Sequence, residues 1–190
     1  MSPARSERWG SRKRRRRIVR IVVAVIVIAG VVAAIVVPRS RASRRAERAA
    51  VQTYAQVVKD LSFEGGRILQ QEVKPRITDL REGVVSPEQF RREADNWIRL
   101  YQNLRKSFAD AGPPERLATA ARLYDDAFVA YIEAFEAFRE ASRLDTPEAR
   151  NEAITEAVPI AERADQIFDR ARGELGEQMR ALGLTPPGDL

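Results

Sequence analysis

The sequence predicts an all-α protein: one N-terminal transmembrane helix followed by an antiparallel, up-down-up-down four-helix bundle with coiled-coil-like packing. Two observations carry this. Residues 18–37 read IVRIVVAVIVIAGVVAAIVV, almost purely apolar. Beyond residue 44, apolar residues recur at steps of three and four through four successive segments, and no segment alternates with the period of two that a half-buried strand needs.

The first 17 residues hold Arg5, Arg8, Arg12, Lys13, Arg14, Arg15, Arg16 and Arg17 against Glu7. They read as a basic cytoplasmic tail. Ile21 to Val37 is a run of 17 apolar or small residues, roughly 25 Å as a helix, the short end of a membrane span. Arg20 can lengthen it by reaching toward head groups, and Pro38 ends it. Residues 18–37 are therefore expected to form an uncleaved signal anchor. Eight basic residues before Ile18 against five in residues 38–48 place the N-terminus in the cytoplasm and the bundle outside the cell (inner or plasma) membrane. The alternative is secretion after cleavage near Ala42, against which stands an apolar run longer than the usual signal-peptide core. The cluster Arg12, Lys13, Arg14, Arg15, Arg16 and Arg17 serves as the topology signal and is a candidate contact for anionic lipid head groups. Ala29/Ala33 and Gly30/Ala34 form small-xxx-small pairs, a candidate dimer contact between two spans.

Residues 38–50 are expected to be an Arg-rich stalk, residues 51–183 the bundle and residues 184–190 a flexible tail. The first bundle helix runs from about residue 42 to 82 with Val51, Tyr54, Val58, Leu61, Gly65 and Ile68 on one face, passing through Pro75 to Gly83. Ser86-Pro87-Glu88-Gln89 supplies an N-cap, a first-turn proline and a capping-box glutamine. The second helix then carries Phe90, Ala94, Trp97, Tyr101, Leu104 and Phe108, ending at Gly112-Pro113-Pro114. The third carries Leu117, Ala121, Tyr124, Phe128, Tyr131, Phe135 and Phe138. Thr146-Pro147 starts the fourth, with Ala157, Ile160, Ala164, Ile167, Ala171, Leu175 and Met179. Short turns between such helices force antiparallel neighbours. The first helix exceeds the second by roughly 22 Å at 1.5 Å per residue, with the excess toward the membrane.

Charge and composition limit function. Residues 49–190 hold 19 basic and 25 acidic side chains, so this part has no basic surface for nucleic acid. The chain contains no Cys and no His, which removes thiolate and imidazole chemistry and the Glu-x-x-His di-metal motif of helical bundles. No phosphate-binding glycine loop, nucleophile elbow or zinc signature is present. The expectation is no enzyme activity, no cofactor and no metal. Acidic positions such as Asp125, Glu133, Glu140, Asp165 and Asp169 lie off the apolar faces and read as solvated, ion-paired helix surface. Nine aromatic residues on helices two and three face Ala- and Gly-rich stripes on the other two, large against small as a core requires.

Pro75 and Pro159 interrupt adjacent helices at about the same height, which makes them a candidate helix-kink notch. One span followed by a helical bundle resembles the extracytoplasmic part of bacterial sensor proteins, without their second span and cytoplasmic output module. Twenty-nine Arg against four Lys suggest a GC-rich bacterial genome. The expected function is non-enzymatic: a membrane-anchored accessory or scaffold protein whose bundle binds an envelope protein, as a monomer or a homodimer. The alternative is a ligand- or lipid-binding, sensor-like module.

Overall fold

The computed structural model describes residues 42–187, and these are helical throughout apart from connecting turns. Four helices result. Helix α1 covers residues 42–81 and contains a π-helical turn, Leu69–Val73, before its last segment Lys74–Arg81. Helix α2 is Pro87–Asp110, α3 is Ala118–Ala141 behind a 3-10 turn Glu115–Leu117, and α4 is Pro147–Ala181. No helix among the described residues is long and apolar enough to cross a membrane. The apolar segment 18–37 and the basic cluster before it lie outside the described residues.

Local chemistry sets the helix ends. The Ser86 Oγ accepts the Gln89 N–H at 3.2 Å and the Thr146 Oγ1 accepts the Ala149 N–H at 3.2 Å. Each satisfies a backbone donor that has no partner inside the helix. At the other end of α1, Gly83 turns into the left-handed region with φ of 75°. The Val84 and Gly83 N–H groups then reach back to the carbonyls of Asp79 and Leu80, the paired bonds of a Schellman motif. Gly183 ends α4 in the same way, with Leu184 and Gly183 bonded to Met179 and Arg180.

Cross-helix contacts show the topology, because residue numbers that rise on one helix fall on its neighbour. Tyr101 meets Gly65 while Glu93 meets Arg76 between α2 and α1. Asp95 pairs with Arg139 and Arg105 with Asp125 between α2 and α3. Tyr131 bonds Asp165 and Tyr124 packs on Phe168 between α3 and α4. Arg81 donates to Thr155 at 2.9 Å, joining the top of α1 to α4. All four neighbours run antiparallel around one core.

The core is a chain of aromatic rings from α2 and α3, all nine of them buried. Tyr101 is its centre, edge-on to Phe128, Tyr131 and Phe135 at centroid distances of 5.9, 5.4 and 4.8 Å. Such pairs add about 0.5–1.5 kcal/mol beyond burial. The Tyr101 hydroxyl donates to the Gly65 carbonyl at 2.8 Å. A Cβ on Gly65 would sit 3.6 Å from the same hydroxyl, in ordinary van der Waals contact. Alanines 130, 134, 164 and 171 fill the α3–α4 interior and are fully covered.

At the lower end the core begins with Val51, Tyr54, Ala55 and Val58. Before Val51, residues 42–50 are helical and exposed except for half-buried Glu47, whose carboxylate accepts from Arg116 at 2.8 Å. Most of the excess length expected for α1 is thus exposed helix, and the core takes up only its last part from Val51.

Two substitutions follow from the helix interiors. A Cβ on Gly66, inside α1, would meet nothing within 4 Å. Gly66→Ala is expected to stabilise the fold by about 0.5–1 kcal/mol, since helix-interior glycine loses the most backbone entropy on folding. Pro159 lies inside α4 and is exposed. It offers no N–H to the Thr155 carbonyl, so Pro159→Ala should stabilise by about 1–3 kcal/mol. Thermal denaturation followed at 222 nm checks both; a lowered midpoint for either would contradict the geometry.

Candidate functional site

The π-turn directly precedes Pro75, and the proline explains it. An ordinary α-turn would drive the proline ring into the Gln71 carbonyl and leave that carbonyl without its usual donor. One extra residue per turn relieves the clash, and the Lys74 N–H bonds Leu69 instead, five residues back. The same insertion rotates Val73 into the core, where it is 2% exposed. The expected kink at Pro75 is therefore a widened turn.

Beside this turn lies a groove of about 540 Å³ between α1 and α2. Gln71, Pro75 and Arg76 form one wall, Gln89, Arg92 and Asn96 the other, and buried Trp97 lies at the base. Each of its carboxylates has an arginine partner, though two arginines serve four acids. Arg76 binds Asp79 and Glu93, each at 3.0 Å, and Gln89 donates to Glu93 at 3.1 Å. Arg67 reaches Glu72 at 3.2 Å and Glu64 at 2.8 Å. The Arg67 hydrogen bond holds the Glu64 carboxyl below the ordinary carboxylate range. Arg92 has no ion pair among the described residues. What the groove offers a guest is a guanidinium, three side-chain amides and an indole edge, a hydrogen-bonding surface suited to peptide or carboxylate groups.

Arg81 and Thr155 bring the level of Pro159 close to that of Pro75, but the two prolines face different surroundings. Pro75 lines the α1–α2 groove, and Pro159 lines neither it nor the shallow groove between α3 and α4. The candidate positions Arg12 to Arg17, Ala29, Gly30, Ala33 and Ala34 lie outside the described residues. No group of three or more acidic side chains converges as a metal ion would require among the described residues.

Two acidic positions differ from the expected solvated surface with pairs along one helix. The Asp125 carboxylate binds Arg105 of α2 through two bonds, at 2.6 and 2.9 Å. Asp165 accepts the Tyr131 hydroxyl. Glu140 with Arg143 and Asp169 with Arg172 do form pairs within a helix. Gln71, Arg92 and Asn96 carried no sequence signal, because the groove arises from the register of two helices.

No protein-family model, no curated protein and no solved structure matches this chain.

Proposed function

We propose that this chain is a non-enzymatic, single-span membrane-anchored protein whose extracytoplasmic bundle binds a partner protein in an accessory or scaffold role. The observation that carries the binding role is the open groove beside the π-turn, with Arg92 unpaired and amides on both walls. An open trough presenting hydrogen-bonding side chains suits the main chain of a second protein. The apolar run 18–37 behind Arg12 to Arg17 supports the anchor and its orientation. Val84, 68% exposed in the α1–α2 turn, adds apolar surface near the same end.

Two experiments test this reading. A photo-crosslinking residue at Asn96 in the full chain should capture a specific membrane or envelope protein; its failure to capture any would remove the binding role. Because the chain lacks Cys, a single Val84→Cys variant reports topology. Labelling of intact cells by an impermeant maleimide is expected, and labelling only after permeabilisation would reverse the orientation. Val84 suits this better than Ser86, whose hydroxyl caps α2.

A small polar ligand is the second reading, favoured by a groove volume within the roughly 300–1,000 Å³ typical of ligand sites. Native mass spectrometry of the full chain released from detergent distinguishes it by a retained small molecule.

A further inference from the structure

The arginines that follow the apolar run have no role in the function proposed above, and they oppose its topology signal. Positive charge beyond a span weakens the bias that keeps the N-terminus inside, yet residues 38–48 hold five arginines. Residues 42–50 are helical, and Arg44, Arg45 and Arg48 are exposed on an arc of about 100°. Arg44 and Arg48 continue, at steps of four and three, the stripe that becomes Val51, Ala55 and Val58 in the core. Positions that bury apolar side chains within the bundle thus carry guanidinium groups before it. The fold leaves them without a counter-charge. From Pro38 to Lys59 the one acid is Glu47, which could pair with Arg44 three residues back. It binds Arg116 instead, at 2.8 Å. Arg44, Arg45 and Arg48 form no ion pair among the described residues. A Cβ on Gly183 would lie 3.6 Å from the Arg48 guanidinium, which places Arg48 at the end of the bundle where α4 stops. Within about one helical turn of that end, exposed Lys106, Arg122 and Arg180 balance exposed Asp110, Glu115 and Glu177. The three arginines of α1 are the surplus.

Chain length sets what these side chains can reach. Arg44 is seven residues beyond Val37, about 10 Å as a helix and no more than about 25 Å fully extended. The head-group layer adds about 5–8 Å to each side of the hydrocarbon, and arginine side chains are long enough to lower their charge toward it. A guanidinium meets a phosphate through paired, charge-assisted hydrogen bonds. We propose that Arg44, Arg45 and Arg48 form a docking face for the phosphates of anionic phospholipids, on the membrane surface from which the chain emerges. This rests on the anchor reading of residues 18–37 and adds a lipid preference to it.

The test reconstitutes the full chain in vesicles of mixed phosphatidylcholine and phosphatidylglycerol. A fluorophore is attached through Ala42→Cys, an exposed position two residues before Arg44 in a chain without other cysteine. Trace spin-labelled phosphatidylglycerol or trace spin-labelled phosphatidylcholine is then added as the quencher. Each arginine near an anionic surface favours contact by about fivefold, so phosphatidylglycerol should quench at least about fivefold more than phosphatidylcholine. In an Arg44→Gln/Arg45→Gln/Arg48→Gln variant the two lipids should quench alike. All three side chains are exposed, and an unchanged helical spectrum shows that the variant folds. Equal quenching in the parent, or an excess that survives in the variant, overturns the proposal and leaves the anchor standing. Failure of the chain to float with the vesicles would remove the anchor and this face together.

Discussion

Raising the pH above about 10 is expected to unfold the bundle cooperatively, with helix loss and phenolate formation occurring together. All four tyrosines of the chain, Tyr54, Tyr101, Tyr124 and Tyr131, are at most 5% exposed. Burial pushes the Tyr54 phenol up to about 12. Burial raises the other three further still, with Asp165 adding to the effect on Tyr101 and both accepting from and repelling charge on Tyr131. Only at Tyr124 does a neighbour, Arg172, act the other way, and burial outweighs it. The folded pKa values thus lie above the unfolded value near 10, so the neutral phenols stabilise the fold fully below that pH. That stability is lost as pH rises toward the folded values. Each tyrosine that ionises only on unfolding lowers stability by about 1.4 kcal/mol per pH unit, so four together remove about 5.5 kcal/mol per unit. A domain with about 5–15 kcal/mol to lose then begins to unfold near roughly pH 11, and at higher pH the more stable it is. The ion pairs do not blur this transition, because arginine remains charged throughout. Absorbance at 295 nm and ellipticity at 222 nm should change in one coincident step. Gradual phenolate formation centred near pH 10 with the helices intact would show that the tyrosines are not buried.

Helix positions were legible because their signals are local. Ser86-Pro87 and Thr146-Pro147 cap through their own side chains, and Gly83 needs only its own backbone freedom. The aromatic core was legible too, since steps of three and four place Phe90 to Phe108 and Tyr124 to Phe138 on single faces. The π-turn was not, although its trace is visible once known. From Ile68 the next core residue is Val73, five positions on, where a regular helix would have turned Glu72 inward. Pro75 marked the irregularity, but a kink and a widened turn have the same sequence signature. Lateral pairing was hidden as well. Asp125 could have joined an arginine on its own helix, and only the α2–α3 register gives it Arg105. The two grooves share this origin: Arg92 and Asn96, or Glu140 and Glu156, become a surface only when another helix stands beside them.

Phe135→Ala is expected to be the most damaging single substitution among the aromatic positions. Its side chain has no exposure, and its ring lies 4.8 Å from Tyr101, 6.2 Å from Trp97 and 6.4 Å from Tyr131. Truncation removes the transfer energy of the ring and leaves a cavity among three large side chains that cannot close around it, a cost of about 3–5 kcal/mol. The loss reaches α1 as well, because Tyr101 holds Gly65 through its hydroxyl and is itself packed edge-on against Phe135. For a domain of this size, that loss lowers the melting midpoint by on the order of 10 °C. Trp97 should report the change through a red-shifted emission as its ring loses a neighbour. Phe63 is the matched control: it is 73% exposed on α1, and Phe63→Ala should stay within about 0.5 kcal/mol of the parent. Equal effects from the two substitutions would mean that the aromatic chain between α2 and α3 is not the packed centre of the bundle.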